Sequence, residues 1–214
     1  MPPEDLTIKQ ALLDAATRLF IERGFDTVSV RDIANEAGVT HGSIRYHFET
    51  KENLYLAALT RVSTAGEEVE GPVVGEPPAE LLTPTEGERQ LRAAVKQLVV
   101  FQAKVGADRH AAEGLLRAEI SRDGGPHPAF FERVIKPGHE RLKWIIHSIR
   151  PDITDDKTLE ILTFNVIFQC VMVRIGQGVI RELLGTTKLK KNDVNLIGDL
   201  IVAVTLAGLR HIEV

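Results

Sequence analysis

The stretch SVRDIANEAGVTHGSIRYHFETKENLYLAAL, residues 29–59, decides the fold of this chain. Ser29 is a favourable N-cap for a short helix, and Asp32 stands three residues later, where its carboxylate can complete a capping box. Gly38 predicts the end of this helix, because glycine readily adopts the positive φ that follows many helices. The stretch therefore begins with one short capped helix and a glycine-containing turn.

A second short helix, HGSIRYH, is expected after this turn. Thr40 is its N-cap, with Ser43 at the third position, and Thr50 opens a further helix with Asn53 placed to reach back to it. The order helix, turn, helix is typical of the helix-turn-helix, whose second helix lies in the major groove of DNA. This pattern is the main functional indication in the sequence.

The residues before this stretch predict a first helix and a connecting loop. Thr7 and Gln10 form a capping-box pair, so we expect the first helix to start at Thr7 and to end at Gly24. Phe25 and Val28 are apolar residues in the loop. We expect both to fill the core beneath the helix-turn-helix.

The composition is that of a soluble helical protein of 214 residues, with 43% hydrophobic and 26% charged residues. Alternating β-branched runs are scarce. The single cysteine, Cys170, excludes an intramolecular disulfide and fits the reducing cytoplasm. The apolar stretches 161–173 and 196–209 contain polar residues, and we expect them to be too short or too polar to cross a bilayer. The sequence thus predicts an all-α cytoplasmic protein with no membrane partner.

The charge of the chain does not by itself indicate nucleic-acid binding. The formal net charge is −4, and residues 1–62 hold seven Lys and Arg against nine Asp and Glu. Gly38 to Phe48, however, contains no acidic residue and carries Arg45, His41 and His47. We therefore expect DNA affinity to depend on the local placement of a few residues and on pairing of two subunits.

The chain changes character between residues 66 and 88. Eight Gly or Pro residues and seven Glu occur there without any Lys or Arg, which predicts a linker that cannot form a core of its own. We therefore expect a DNA-binding domain over residues 1–65 and a second helical domain over 89–214.

Two long helices are predicted to end the chain, over Asp155 to Leu184 and Asn192 to Ile212. Their apolar residues cover a broad face of each helix, which suits either a core within one chain or a surface for a partner. From the sequence alone both interpretations stay open. The positions concerned are Leu159, Leu162, Val166, Val173, Ile180, Leu183, Leu196, Ile197, Leu200, Ile201, Val204 and Leu209.

The motifs IANEAGVTHGSIRYHF and TKENL, with the preceding ERGFDTVSV, resemble the DNA-binding domain of the TetR family of transcriptional regulators over residues 7–62. The resemblance implies an N-terminal three-helix helix-turn-helix domain and a C-terminal ligand-binding and dimerisation domain. It further implies a repressor that binds a palindromic operator in double-stranded DNA, responds to a small-molecule effector, and forms a homodimer through its last two helices. Residues 116–142 and 165–183 also resemble the C-terminal domain of the CecR-like branch.

The resemblance assigns DNA-facing roles to residues in and around the third helix. Arg45 could bind guanine O6 and N7, and Tyr46 and His47 suit phosphates. Gly42 would let the backbone approach the DNA closely, and Lys51 suits a phosphate at a helix N-terminus. The alternative is that these are merely polar surface residues. The full predicted set is Arg31, Thr40, His41, Gly42, Ser43, Arg45, Tyr46, His47 and Lys51.

An effector pocket is implied by the family and predicted here from polar and aromatic residues within apolar helices. Asn165 and Gln169 are four residues apart and therefore share one helix face. A buried polar network or a hydrogen bond at a dimer interface would explain these residues equally. The predicted ligand-binding set is Phe101, Arg117, Trp144, Asn165, Phe168, Gln169 and Met172.

The sequence carries no signature of an enzyme. GxSxG, P-loop and GxGxxG motifs are missing, and the histidines lack the spacing of metal ligands, so we expect no catalytic residue, metal or cofactor. Two other classes stay open. One is an interaction protein of the same fold that binds another regulator, and the other is a ligand-binding or catalytic bundle with a vestigial helix-turn-helix.

Overall fold

The computed structural model describes residues 3–64, 77–103, 114, 119 and 124–213, and these residues form helices, turns and loops without any β-strand. The chain divides into two compact units. One comprises Met1–Glu68 and Gly106–Val134, and the other Val69–Val105 and Ile135–Val214. The all-α prediction is confirmed. The boundaries 1–65, 66–88 and 89–214 stay a prediction, and the two units differ from them in grouping 106–134 with the N-terminal helices.

The first unit begins with four helices: α1 (Pro3–Arg23), α2 (Val30–Glu36), α3 (His41–Phe48) and α4 (Lys51–Thr64). Helix α1 starts at Pro3 and not at Thr7, because proline is well tolerated in the first turn of a helix. Thr7 therefore lies inside α1, and the predicted Thr7–Gln10 capping box was wrong. The core of this unit consists of fully or nearly fully buried side chains, among them Leu12, Phe20, Ile33, Ile44, Leu54, Tyr55 and Leu59.

The loop between α1 and α2 fills this core as expected. Val28 is buried, and Phe25 is half-buried with its ring against the rings of Phe20 and Tyr55, at centroid distances of 5.8 and 4.8 Å. Gly24 takes a φ of 79°, so the chain leaves α1 in the left-handed conformation that glycine favours. The loop is therefore an ordered part of the domain.

The later helices are α5 (Pro84–Ala103), α6 (Pro128–Phe130), α7 (Lys136–Ile149), α8 (Asp156–Ile175), α9 (Gln177–Leu183) and α10 (Lys191–His211). A π-helical turn, Phe131–Ile135, separates α6 from α7. Helix α5 starts within the predicted linker, because Thr83 caps it through the amide of Glu86 and Glu86 pairs with Arg89 one turn later. Residues 66–76 of that linker lie outside the described residues.

The predicted helix from Asp155 to Leu184 is broken at Gly176, which ends α8. A Cβ atom at this position would lie 2.9 Å from the carbonyl oxygen of Met172, so the local backbone requires glycine. The side chain of Gln177 then donates to the carbonyl of Ala103 at the end of α5. One predicted helix is therefore two, α8 and α9.

The core of the second unit lies among α5, α7, α8 and α10. It includes Leu91, Val95, Val99, Leu142, Ile146, Cys170, Val202 and Leu206. Helices α8 and α10 are 20 and 21 residues long and, by length and composition alone, apolar enough to span a membrane. The expectation that these segments are too short or too polar was therefore wrong, although the core helix of a soluble protein meets the same criterion.

Candidate nucleic-acid interface

Helix α2 begins with the predicted capping box. The Asp32 amide donates to Ser29 Oγ at 3.1 Å, and the Ser29 amide donates to Asp32 Oδ2 at 2.9 Å. The Ser29 hydroxyl also donates to this carboxylate, and these hydrogen bonds lower the pKa of Asp32. Two amides at the start of α2 are thus satisfied by side chains, and the prediction is confirmed.

The turn between α2 and α3 depends on Gly38, whose φ is 66°. The amide of Val39 then donates to the carbonyl of Ala34 at 3.0 Å, which closes the turn. Thr40 occupies the N-cap position of α3 in an extended conformation. Its hydroxyl bonds to Ser43 Oγ at 3.0 Å and caps no α3 amide, so the predicted position is confirmed but its side-chain cap is not.

Helix α3 separates cleanly into a buried and an exposed face. Ile44 and Phe48 are buried in the domain core, whereas Arg45 and Tyr46 are exposed, the latter at 74%. His41 and Gly42 are also exposed at the start of the helix, and Ser43 and His47 are half-buried. No acidic residue occurs between His41 and Phe48. The exposed face can therefore donate hydrogen bonds to DNA without repelling phosphates.

Tyr46 and His47 form a T-shaped ring pair, with centroids 4.8 Å apart. The contact restrains both side chains on the surface of α3, which reduces the entropy lost when either binds a partner. Arg31 is exposed on α2, the helix before the turn. The structure thus keeps the predicted DNA-contacting residues on one helix-turn-helix and on the first residue of α4, and their contacts with DNA stay predictions.

Among the residues that the structure describes, Lys51 is the one member of this set with long-range hydrogen bonds. Its ammonium donates to the carbonyl oxygens of Phe25 at 2.8 Å and Val28 at 2.9 Å. The same nitrogen lies 4.1 Å from the centroid of the Phe25 ring. Sequence reasoning missed these contacts, because they join residues 23 and 26 positions apart without a local signal.

The predicted ligand-binding residues do not form one group in the structure. Trp144 is buried in the core, and Phe101 and Gln169 are half-buried. Asn165, Phe168 and Met172 are exposed along α8, and the amides of Asn165 and Gln169 donate to carbonyls of their own helix. Arg117 lies outside the described residues. The effector-binding role of this set stays a prediction.

The structure reveals an exposed apolar stripe that the sequence analysis did not separate from the core. Its members follow one another at intervals of three or four residues on α8 and α9, and at intervals of four on α10. They are Ile161, Phe164, Phe168, Met172, Ile175, Val179 and Leu183, followed by Leu196, Leu200 and Val204. We call these residues the apolar stripe. Spacing alone could have identified it, since each helix shows two apolar faces.

Cys170 is the only cysteine in the sequence, and it is fully buried. Burial raises the pKa of its thiol to about 12, so the reactive thiolate is suppressed. Within the ranges that the structure describes, no three His, Cys, Asp or Glu side chains are grouped in a way that could hold a metal ion.

Two protein-family models match this chain. "Bacterial regulatory proteins, tetR family" matches residues 12–58, and "HTH-type transcriptional dual regulator CecR, C-terminal domain" matches residues 88–210. The first covers α2, α3 and most of α1 and α4. The second covers more than half of the chain.

Curated relatives match part of this chain. The repressor KstR2 of Rhodococcus jostii is 45% identical over 58 residues, 25% of this chain and 28% of the relative. The activator FasR of Mycolicibacterium smegmatis is 38% identical over 90 residues, 42% of this chain and 38% of the relative. The matches therefore span about a quarter to two fifths of these relatives.

A solved structure extends the similarity of fold to nearly the whole chain. The crystal structure of AibR in complex with isovaleryl coenzyme A and operator DNA has a TM-score of 0.51 and 17% identity, covering 92% of this chain and 97% of AibR. These proteins are transcription factors and not enzymes. The family models, together with the capped helix-turn-helix, show that this chain belongs to the TetR family of DNA-binding transcriptional regulators, with a C-terminal domain of the CecR type.

Proposed function

We propose that this protein is a ligand-responsive, homodimeric repressor that binds a palindromic operator through α3. The observation that carries the proposal is the exposed face of α3, which holds Arg45 and Tyr46 and no acidic side chain. The buried Ile44 and Phe48 fix the opposite face of the helix in the domain core. The helix thus presents the same side chains to DNA in every subunit.

The side chains on this face suit different parts of the DNA. The guanidinium of Arg45 can donate two parallel hydrogen bonds to guanine, which reads sequence. Tyr46 and His47 are paired by ring contact and suit phosphates, which set the register of the helix in the groove. Gly42 leaves the start of α3 without a side chain, so DNA can approach the backbone there. Arg31, Thr40, His41 and Ser43 complete the proposed contact surface.

A homodimer is supported by the apolar stripe on α8, α9 and α10. Leu183 is 80% exposed and Phe164 58%, and the rings of Phe164 and Phe168 stack at 5.7 Å. Apolar side chains repeated along two long helices are typical of a surface that pairs with a copy of itself. We therefore assign Asn165, Phe168, Gln169 and Met172 to this interface in preference to the effector site. Two-fold symmetry then places two copies of α3 on two half-sites.

A small-molecule effector is supported by the CecR-type match over residues 88–210 and by AibR, whose structure contains both an acyl coenzyme A and operator DNA. Two polar atoms in the second unit, Gln102 Oε1 and Trp144 Nε1, are buried without a hydrogen-bond partner among the described residues. Such atoms are stabilised when a ligand supplies the missing partner. The effector would act by shifting the population of subunit arrangements away from the one that fits the operator.

The sign of regulation and the location in the cell belong to the same proposal. KstR2 is a repressor and FasR an activator, so the similarity to relatives is compatible with either. We propose repression because a dimer seated on an operator blocks access of other proteins to that DNA. A regulator of chromosomal DNA in bacteria acts in the cytoplasm.

The double variant Arg45→Ala with Tyr46→Phe tests the proposal. We expect it to lose about a hundredfold or more of the affinity for the DNA upstream of the protein's own gene, because two half-sites each lose a base contact. Fluorescence anisotropy measures the affinity, and size-exclusion chromatography checks the dimer. Arg92→Ala, an exposed arginine on α5, is the matched control and should bind like the parent.

Unchanged binding in the double variant would contradict the proposed role of α3. If the parent itself binds no upstream DNA, a protein partner becomes the better explanation of the exposed face. An affinity for DNA that no small molecule changes would contradict the effector part alone.

A further inference from the structure

Lys51 connects the two ends of the helix-turn-helix. It is the first residue of α4 and follows α3 after only two residues. Its ammonium donates to the carbonyl of Val28 at 2.9 Å, and Val28 directly precedes Ser29, the N-cap of α2. One side chain therefore joins the loop before α2 to the first residue of α4.

The environment of this ammonium favours a fixed position. It donates to a second carbonyl, that of Phe25, at 2.8 Å, and lies 4.1 Å from the centroid of the Phe25 ring. Both carbonyls belong to a loop, where no helical amide is available to them, so the ammonium satisfies acceptors that would otherwise need water. Hydrogen bonds from a charged donor are stronger than neutral ones, and the aromatic face adds a cation–π attraction.

The Phe25 ring is itself held from several sides. It contacts the rings of Phe20 in α1, Tyr55 in α4 and His127 before α6, the last at a centroid distance of 4.7 Å. The Tyr55 hydroxyl and the His127 amide both donate to the buried carboxylate of Glu119. The ammonium of Lys51 therefore binds a loop that is anchored to the rest of the first unit.

We propose that Lys51 is a positioning residue, whose ammonium holds α2 and α3 in the orientation that binds the operator and does not act as a phosphate ligand. Two of its three N–H groups already donate to Phe25 and Val28. At most one N–H is therefore left for a phosphate, and its direction is fixed by the two bonds to the carbonyls. This inference rests on the proposed DNA-binding function and assigns a specific role within it.

Lys51→Met tests the proposal, because methionine keeps an apolar stem and removes the charged donor. We expect the dissociation constant for the upstream DNA fragment to rise about tenfold, as charged hydrogen bonds are lost. We also expect the slope of log affinity against log salt to equal that of the parent. A lost phosphate contact would instead reduce this slope by about 0.9 per subunit, and that result would overturn the proposal.

Phe25→Leu provides a second variant that keeps the charge of Lys51. It removes the ring beneath the ammonium, so we expect weaker binding to the same fragment, again with an unchanged salt slope. Binding equal to that of the parent would show that the loop does not control α3. Lys157→Met, an exposed lysine on α8, is the matched control for the change in charge and should bind like the parent.

Amide hydrogen exchange of the full-length protein gives a readout that needs no DNA. We expect Lys51→Met to accelerate exchange in residues 29–48, whereas Lys157→Met leaves these amides unchanged. Unaltered exchange in Lys51→Met would overturn the positioning role. If the parent binds no DNA but exchange in residues 29–48 is still faster in Lys51→Met than in the parent, the proposed function fails while this inference holds. The two failures can therefore be told apart.

Discussion

At the scale of single residues, the start of α2 shows how two side chains determine a helix boundary. Ser29 and Asp32 exchange hydrogen bonds through their amides and side chains, so the signal for this boundary is contained in four residues. The hydrogen bonds are made to the ionised carboxylate of Asp32, which is why its pKa is lowered below 3.8. Ionisation of Asp32 and folding of α2 are therefore linked.

We expect Asp32→Asn to lower the midpoint of thermal unfolding at pH 7. The pKa is lower in the folded than in the unfolded protein, so the carboxylate stabilises the fold above pH 3.8. This stabilisation is lost as the pH falls through the folded pKa. The difference between parent and variant, followed by circular dichroism, should thus shrink as the pH falls below 3.8. Glu22→Gln changes the same charge on the surface of α1 and is the control; a difference independent of pH would contradict the linkage.

At the scale of the element, the helix-turn-helix contains two glycines that differ in their structural role. Gly38 has a φ of 66°, which a residue with a Cβ atom adopts only with strain. Gly42 lies in α3, and no atom within 4 Å would meet an added Cβ. The first glycine is needed by the fold, whereas the second is not. Its lack of a side chain therefore fits the proposed close approach of DNA to the backbone.

We expect Gly38→Ala and Gly42→Ala to have opposite effects on stability. Gly38→Ala should destabilise the protein by about 1–2 kcal/mol, the cost of the left-handed conformation. Gly42→Ala should stabilise it by roughly 0.5 kcal/mol, because alanine loses less backbone entropy in a helix. Urea denaturation measures both effects. Gly42→Ala should nevertheless weaken binding to the upstream DNA, and an unchanged affinity would exclude a close approach of the backbone.

Elements whose signals are local could be predicted from the sequence. The capping box of α2 and the end of that helix at Gly38 both depend on residues within one or two turns. The start of α1 was misplaced because a proline is compatible with a first turn and with the loop before it. The break at Gly176 was missed, because a helix tolerates an isolated glycine. Only the folded backbone shows that a Cβ atom at this position would lie too close to the carbonyl oxygen of Met172.

The residues of the candidate DNA interface could likewise be predicted where their signal is local in the sequence. Residues of α3 were assigned through a contiguous motif, and the helix exposes Arg45 and Tyr46 as expected. The hydrogen-bond partners of Lys51 were missed, because no sequence pattern indicates a hydrogen bond between residues 23 positions apart. The predicted effector-binding residues are even further apart in the sequence than Lys51 and its partners. They come from separate helices, and the choice between core and surface depends on how those helices pack.

At the scale of the whole molecule, α8 and α10 each have two apolar faces. One face packs in the core of the second unit, with Val166, Cys170 and Val202 buried. The other is the apolar stripe, which is exposed in a single chain. Exposed apolar surface of this regularity favours association, since burying it removes it from water. The proposed dimer thus explains why these helices are apolar enough to resemble membrane spans.

We expect the double variant Phe168→Glu with Leu200→Glu to be monomeric. Both side chains belong to the apolar stripe, and carboxylates buried against their copies would repel one another. Size-exclusion chromatography with light scattering measures the mass. Leu6→Glu introduces the same charge at an exposed apolar position of α1 and should stay dimeric. A double variant that is still a dimer would place the interface elsewhere.

The small number of basic residues over residues 1–62, seven against nine acidic ones, has a consequence for how such a regulator finds its target on a chromosome. Weak attraction to arbitrary DNA shortens each random encounter, because few counterions are released when the protein lands on the wrong sequence. The search should then proceed mainly by repeated three-dimensional diffusion, with short sliding runs between collisions. Little protein would be retained on the genome at large. Occupancy of the correct site would consequently follow the number of copies in the cell closely.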